Sequence, residues 1–198
     1  MVAIIDYGMG NVASVQKALE FLNIENTITD DHSMIQSCDV ILLPGVGSFA
    51  QGMRNLRERN LIDILTNEVM VKKKKFIGIC LGMQLMMDKG IEPYECAGLG
   101  WVRGEVAKLE IENLNVPHMG WNNIEVFKNE YYKNCISKDF YFIHSYHVVP
   151  NIDSDIAATV NYGFNIVASI QKENIFATQF HPEKSQTTGL MLLRTYFC

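Results

Sequence analysis

Short runs of branched apolar residues alternate with helical periodicity along the first half of the chain. Val2 to Ile5 reads as a strand buried on both faces, after which Val12, Val15, Leu19 and Leu22 recur at the spacing of one helix face. Val40 to Leu43 and Phe76 to Cys80 repeat the strand pattern. The second of them follows a helical stretch from Arg54 to Lys72 and precedes another helix beginning at Leu81. This alternation predicts the α/β class, with a mostly parallel central sheet flanked by helices. Beyond Gly90 the pattern becomes β-rich: Trp101 to Leu109, Asn123 to Phe127, Phe140 to Val149, Ile156 to Val160, Ile166 to Ile170 and Ile175 to Phe180 read as strands. They predict an additional antiparallel region in the second half. A closing helix is expected from Ser185 to Phe197, with Leu190, Leu193 and Phe197 turned inward. No internal repeat, low-complexity segment or linker interrupts the pattern, so residues 1–198 are expected to form a single domain.

Composition narrows the function classes. With 48% hydrophobic and 20% charged residues among 198, the chain has enough apolar material for one sizeable core. A net charge of −5 argues against nucleic-acid binding through phosphate neutralisation. The single basic run, Lys72 to Lys75, suits the negative end of a helix dipole. No apolar stretch approaches the roughly 18 residues of a membrane span. The segment Met1 to Asp6 reads as a first strand rather than a signal peptide, which leads us to expect a cytoplasmic protein. Five cysteines (Cys38, Cys80, Cys96, Cys135 and Cys198) form no CxxC pair and are expected to be free thiols, with no metal site.

Four segments carry candidate chemistry. Gly78-Ile79-Cys80-Leu81-Gly82 places a nucleophile between small residues at a strand-to-helix turn, where a strained backbone lifts the side chain clear of the sheet edge. The amides that open the following helix favour negative charge on the sulfur. His181-Pro182-Glu183 follows a strand, and residues two apart in an extended segment project to one side. A histidine there could hand over a proton while the glutamate fixes its tautomer, which completes the parts list of a Cys-His-Glu triad. Pro44-Gly45-Val46-Gly47 follows another strand of the same sheet edge. Its backbone, with the Leu81 amide, could bind a developing oxyanion. Finally, Gly8-Met9-Gly10-Asn11-Val12-Ala13 matches a dinucleotide-binding fingerprint, with Asp30 and Asp31 where a ribose-binding acid would fall. Tight turning explains those glycines equally well, and the nucleotide-binding reading leaves the cysteine turn and the His-Pro-Glu segment without a common purpose.

Together these segments resemble the class I glutamine amidotransferase family. The resemblance is carried by Gly78-Ile79-Cys80-Leu81-Gly82-Met83-Gln84, His181-Pro182-Glu183 and Pro44-Gly45-Val46-Gly47. Further support comes from Asp6-Tyr7-Gly8-Met9-Gly10-Asn11, Pro117-His118-Met119-Gly120-Trp121-Asn122, Tyr141-Phe142-Ile143-His144-Ser145-Tyr146, Gly98-Leu99-Gly100 and Lys184-Ser185. Within the family the chain is similar to free-standing glutaminase subunits. The resemblance implies that Cys80 attacks the carboxamide of L-glutamine, that His181 delivers a proton to departing ammonia, and that Glu183 orients His181. It places the oxyanion at the amides of Leu81, Gly45 and Val46, and the substrate against Gly47, Gln84 and the backbone of Ser145 and Tyr146. It also implies a (β/α)8 barrel cyclase as partner in a heterodimer, with Asn11, Trp121, Tyr141 and Lys184 at the gate or interface. No cofactor or metal is implied, although His144 and His147 flank the substrate segment. The ammonia acceptor stays open between histidine biosynthesis and the amidino groups of surface sugars.

Overall fold

The computed structural model describes residues 1–197. A nine-stranded sheet runs in the order β2 (Asn26–Thr29), β1 (Val2–Ile5), β3 (Val40–Gly45), β4 (Lys75–Cys80), β13 (Ile175–Thr178), β12 (Phe164–Lys172), β11 (Ile156–Tyr162), β8 (His118–Val126) and β9 (Asp139–His144). From β2 to β13 all neighbours are parallel. From β13 to β9 all are antiparallel. The parallel half and the antiparallel region are therefore continuous in one sheet. A smaller sheet joins β10 (Tyr146–Pro150), β7 (Val102–Lys108), β5 (Met87–Gly90) and β6 (Cys96–Ala97).

Strand alternation divides the core between the two faces of the large sheet. Ala3 and Ile5 of β1 join one cluster, with Phe49, Met53 and Leu56 of α3 (Phe49–Glu58) and Leu61 and Leu65 of α4 (Leu61–Thr66). Val2 and Ile4 join the other, with Val15 and Leu19 of α1 (Val12–Phe21) and Leu192, Leu193 and Tyr196 of α6 (Gln186–Phe197). Burial on both faces is why β1 is apolar throughout rather than alternating. Each buried Val, Leu, Ile, Phe or Met among them contributes roughly 1.5–3 kcal/mol when removed from water.

Several boundaries differ from the sequence-based expectation, each for an identifiable reason. The helix expected from Arg54 to Lys72 begins at Phe49 and breaks at Asn60, whose φ is 57°. Asparagine tolerates this left-handed conformation, and a polar run, Arg57 to Asn60, offers no apolar face to bury. Beyond α4 the chain continues as a wider helical turn, Asn67–Val71. The run Phe140 to Val149 is two strands in different sheets, β9 and β10, divided at Ser145. The strand expected to reach Phe180 ends at Thr178. In α6 the residues turned furthest inward include Leu192 and Tyr196, while Leu190 and Phe197 are half-buried. The elements β2, α2 (His32–Ser37), β5 and β6 do not stand out in the sequence, because the first three are short and carry polar residues and β6 is only two residues long.

Among the described residues, no helix is long and apolar enough to cross a membrane. The basic run does follow a helical segment, and both Lys72 and Lys74 reach the fully buried Glu68, at 2.7 and 2.9 Å.

Candidate active site

Parallel pairing brings three loops to one edge of the large sheet. Register places Gly45, at the end of β3, beside Cys80, at the end of β4. On the other side Thr178, at the end of β13, pairs with Ile79. The carboxyl ends of adjacent parallel strands are where α/β sheets gather their chemistry, and here they gather Pro44–Gly47, Cys80–Leu81 and the residues after Thr178.

Cys80 has φ 54° and ψ −108°, a sparsely populated conformation for a residue with a side chain. Its neighbours explain how the turn is accommodated. A Cβ on Gly82 would strike the carbonyl oxygen of Leu43, and one on Gly78 would lie 2.8 Å from the carbonyl oxygen of Gly82. Only glycine fits at either position. Cys80 is 7% exposed, and Gln179 Nε2 donates to its Sγ at 3.6 Å. The helix that follows, α5 (Leu81–Gln84), is a single turn.

His181 and Glu183 meet at 2.8 Å between Nδ1 and Oε1, and both side chains are buried. They pair across a tight 3-10 turn, Pro182–Lys184, rather than along an extended strand. That turn is clamped from β9. The His181 amide donates to the Tyr141 carbonyl at 2.9 Å, the Tyr141 amide to Ser185 Oγ at 3.0 Å, and Ser185 Oγ to the His181 carbonyl at 2.7 Å. Nε2 of His181 is buried with no hydrogen-bond partner. Burial by itself disfavours the imidazolium, but the nearby Cys80 sulfur and then Glu183 outweigh it and raise the pKa to about 10. A proton held on a buried His181 at neutral pH suits a group able to give it to a departing amine.

A pocket of about 380 Å³ opens in front of Cys80, lined by Val46, Gly47, Ser48, Leu81, Gln84, Glu92, Pro117, Ile143, His144, Ser145, Tyr146 and Lys184. It collects most of the expected oxyanion and substrate residues. Gln84 Nε2 donates to the Tyr146 carbonyl at 3.0 Å and to Gln179 Oε1 at 3.1 Å. Gly47 has φ 102°, which glycine adopts without strain. A Cβ on Gly45 would strike the hydroxyl of Tyr7, which is fully buried and has no hydrogen-bond partner.

The expected gate residues have ordinary local roles as well. Asn11 caps α1, its side chain accepting from the Ser14 amide at 3.1 Å. Trp121 and Tyr141 are cross-strand partners with ring centroids 6.1 Å apart, and Trp121 is 46% exposed. His144 lines the pocket, whereas His147 packs edge-on against Phe164. The glycine loop after β1 is committed to packing: a Cβ on Gly10 would lie 3.1 Å from Gly45 Cα. Of the two acids downstream, Asp31 caps α2 and Asp30 pairs with Arg59 at 2.9 Å.

Three residues of this site lay outside the sequence-based reading. Gln179 is a polar residue at the end of an apolar run, which was its available signal. Ser185 was noted only as part of a motif. Glu92, whose carboxyl burial pushes up in pKa, arrives from a loop that no pattern connected to the pocket.

Comparison with known proteins gives matches along nearly the whole chain. Residues 3–197 match the family described as Glutamine amidotransferase class-I. Imidazole glycerol phosphate synthase subunit HisH 1 of Campylobacter jejuni subsp. jejuni serotype O:23/36 (strain 81-176) is 49% identical, covering 99% of this chain and 98% of that one. Subunit HisH of Aquifex aeolicus (strain VF5) is 44% identical over 98% of this chain and 94% of its own. Among solved structures, one described as a glutamine amidotransferase superposes with TM-score 0.76 at 18% identity, covering 99% of this chain and 97% of that one. PurLQS from Thermotoga maritima superposes with TM-score 0.75 at 18% identity, over 98% and 96% of the two chains. The chain is a member of the class I glutamine amidotransferase family.

Proposed function

We propose that this chain is the glutaminase subunit of an imidazole glycerol phosphate synthase. It would release ammonia from L-glutamine in the cytoplasm and pass it to a (β/α)8 barrel cyclase. The observation that carries the reading is the strained Cys80 at the same sheet edge as a buried His181–Glu183 pair joined at 2.8 Å. The names of the relatives supply the pathway.

In this reading the Cys80 thiolate attacks the carboxamide carbon of glutamine. The oxyanion that forms is held by the Leu81 amide and by amides of the Gly45–Val46 segment. His181 Nε2 gives its proton to the amide nitrogen, the C–N bond breaks, and ammonia leaves a glutamyl thioester on Cys80. Water then adds to the thioester carbon as His181 takes its proton. The C–S bond breaks, releasing glutamate and restoring the thiolate. Glu183 holds the His181 ring by its Nδ1 proton. Gly47, Gln84, Ser145 and Tyr146 bind the amino-acid end of the substrate. Val116, Met119 and Trp121 are exposed around Pro117, which lines the pocket, and their apolar surface suits a docked partner with Asn11, Tyr141 and Lys184 at the gate.

The test is incubation with 6-diazo-5-oxo-L-norleucine, an electrophilic glutamine analogue, followed by mass mapping. Modification confined to Cys80 is expected, and modification elsewhere or none would refute the reaction class. Failure of a deletion strain to grow without histidine assigns the acceptor, whereas growth with altered surface sugars assigns the other.

A further inference from the structure

Beneath the pocket lies a second buried polar group that the reaction does not use. His144 ends β9 and Tyr146 begins β10, so the chain changes sheets at Ser145, inside the segment proposed to hold the substrate. The kink is bridged by the ring of His144, whose Nδ1 lies 2.9 Å from the Tyr146 carbonyl oxygen. His144 Nε2 lies 2.9 Å from His118 Nδ1, and His118 Nε2 lies 2.6 Å from Asn122 Nδ2. His118 is directly paired with His144 in the β8–β9 register and is sandwiched between Phe142 and Tyr162, at ring separations of 4.7 and 4.0 Å.

Every proton in this chain follows from its inner end. A carbonyl only accepts, so His144 Nδ1 carries a hydrogen. The neutral ring then accepts at Nε2, which requires His118 to donate from Nδ1. His118 in turn accepts at Nε2 from the Asn122 amide. Protonating either ring would turn an acceptor into a donor and break a link. Both rings are buried, His118 completely and His144 at 6% exposure, and neither has a carboxylate partner to stabilise a cation. The Tyr146 carbonyl also accepts from Gln84 Nε2, so both its lone pairs are engaged.

We infer that His118 and His144, with Asn122, form a neutral, one-directional hydrogen-bond chain that fixes the Tyr146 carbonyl and so positions the Ser145–Tyr146 backbone for glutamine binding. This rests on the glutaminase reading. Both histidines are positioning residues, acting through the backbone and not on the reacting atoms. Loss of the chain should therefore weaken substrate binding more than the covalent step.

Two measurements test this. Long-range proton–nitrogen NMR of the full chain at pH 7 is expected to show both rings as the Nδ1–H tautomer, the less common form of free histidine. An imidazolium or an Nε2–H tautomer at either ring overturns the inference. In the second, inactivation by 6-diazo-5-oxo-L-norleucine is followed in His118→Phe, which keeps the aromatic sandwich but removes the donor. The inhibition constant is expected to rise about tenfold, the worth of a positioned hydrogen bond, with the maximal labelling rate changed much less. His118→Asn, which returns a donor near the Nδ1 position, is expected to recover most of the affinity. An unchanged inhibition constant in a folded His118→Phe, or a loss confined to the maximal rate, overturns the inference. Failure of the wild-type chain to be labelled at Cys80 would instead count against the glutaminase reading.

Discussion

Cys80 and Tyr7 are both held in states that are unfavourable on their own. The backbone of Cys80, at φ 54°, stores on the order of 1–3 kcal/mol that the surrounding glycines make tolerable. The Tyr7 hydroxyl is buried beside Gly45 without a partner. Removing an unsatisfied buried hydroxyl relieves its desolvation, so Tyr7→Phe is expected to raise the unfolding free energy by about 1 kcal/mol, read from urea denaturation. Glu183 stabilises the charged form of His181 through its hydrogen bond and its charge. Glu183→Gln keeps the size of the side chain and removes the charge. Its kcat for glutamine hydrolysis is expected to fall about 10²-fold with KM little changed, since orientation and charge act on the proton transfer.

Turns do most of the placing at the level of elements. Strands β3, β4 and β13 deliver their loops to one edge, but the His181–Glu183 contact is made by the Pro182–Lys184 turn and by Ser185, which links it to β9. Ser185→Ala would leave the Tyr141 amide without its partner, while the His181 carbonyl would keep only the Lys184 amide, at 3.1 Å. A loss of about 2 kcal/mol in stability is expected, together with reduced labelling of Cys80, because the imidazole is no longer held in place. Unchanged thermal unfolding in that variant would show that water or a neighbour replaces the hydroxyl. The kink between β9 and β10 is likewise held by a side chain, His144, alongside the Leu109 amide that donates to the Ser145 carbonyl at 2.9 Å.

For the whole molecule, the buried histidines set an acid limit on stability. Burial lowers the pKa of His118 to about 4 and of His144 to about 3, and it lowers that of His147 as well. Unfolded histidine binds a proton below about 6.5, so between there and pH 4 the unfolded chain binds more protons and stability falls with falling pH. His181 opposes this in the upper part of the window, because its folded form is already protonated while its unfolded form is still gaining its proton. Glu92, with its raised pKa, opposes the trend as well, making two groups against three. Denaturant midpoints are therefore expected to drop from pH 7 to pH 5, by roughly 1–2 kcal/mol for each of His118 and His144. A second molecular property concerns the exposed loop at Val46 and the apolar surface around Trp121. If a barrel subunit completes the oxyanion site, glutamine turnover by the chain alone should be well below that of the complex. Full activity of the lone chain would refute this coupling.

The alternation of strand and helix and the cysteine turn were legible in the sequence, because each rests on local chemistry, side-chain periodicity and the small residues a strained turn demands; the pairing of His181 with Glu183 was legible as a partnership but not as the 3-10 turn that makes it. The split of the Arg54–Lys72 helix was less so, since Asn60 acts through a conformation many residues could in principle avoid. The Ser145 sheet change, the Gln84–Gln179–Cys80 contacts and the Asn122–His118–His144 chain were not legible at all. They join positions up to 99 residues apart, and which polar groups find each other on burial depends on strand order and register rather than on any local pattern. Local chemistry thus determined what each segment could do, and the tertiary structure decided which buried groups meet, because an unpaired polar group in the core must find its partner wherever the fold supplies one.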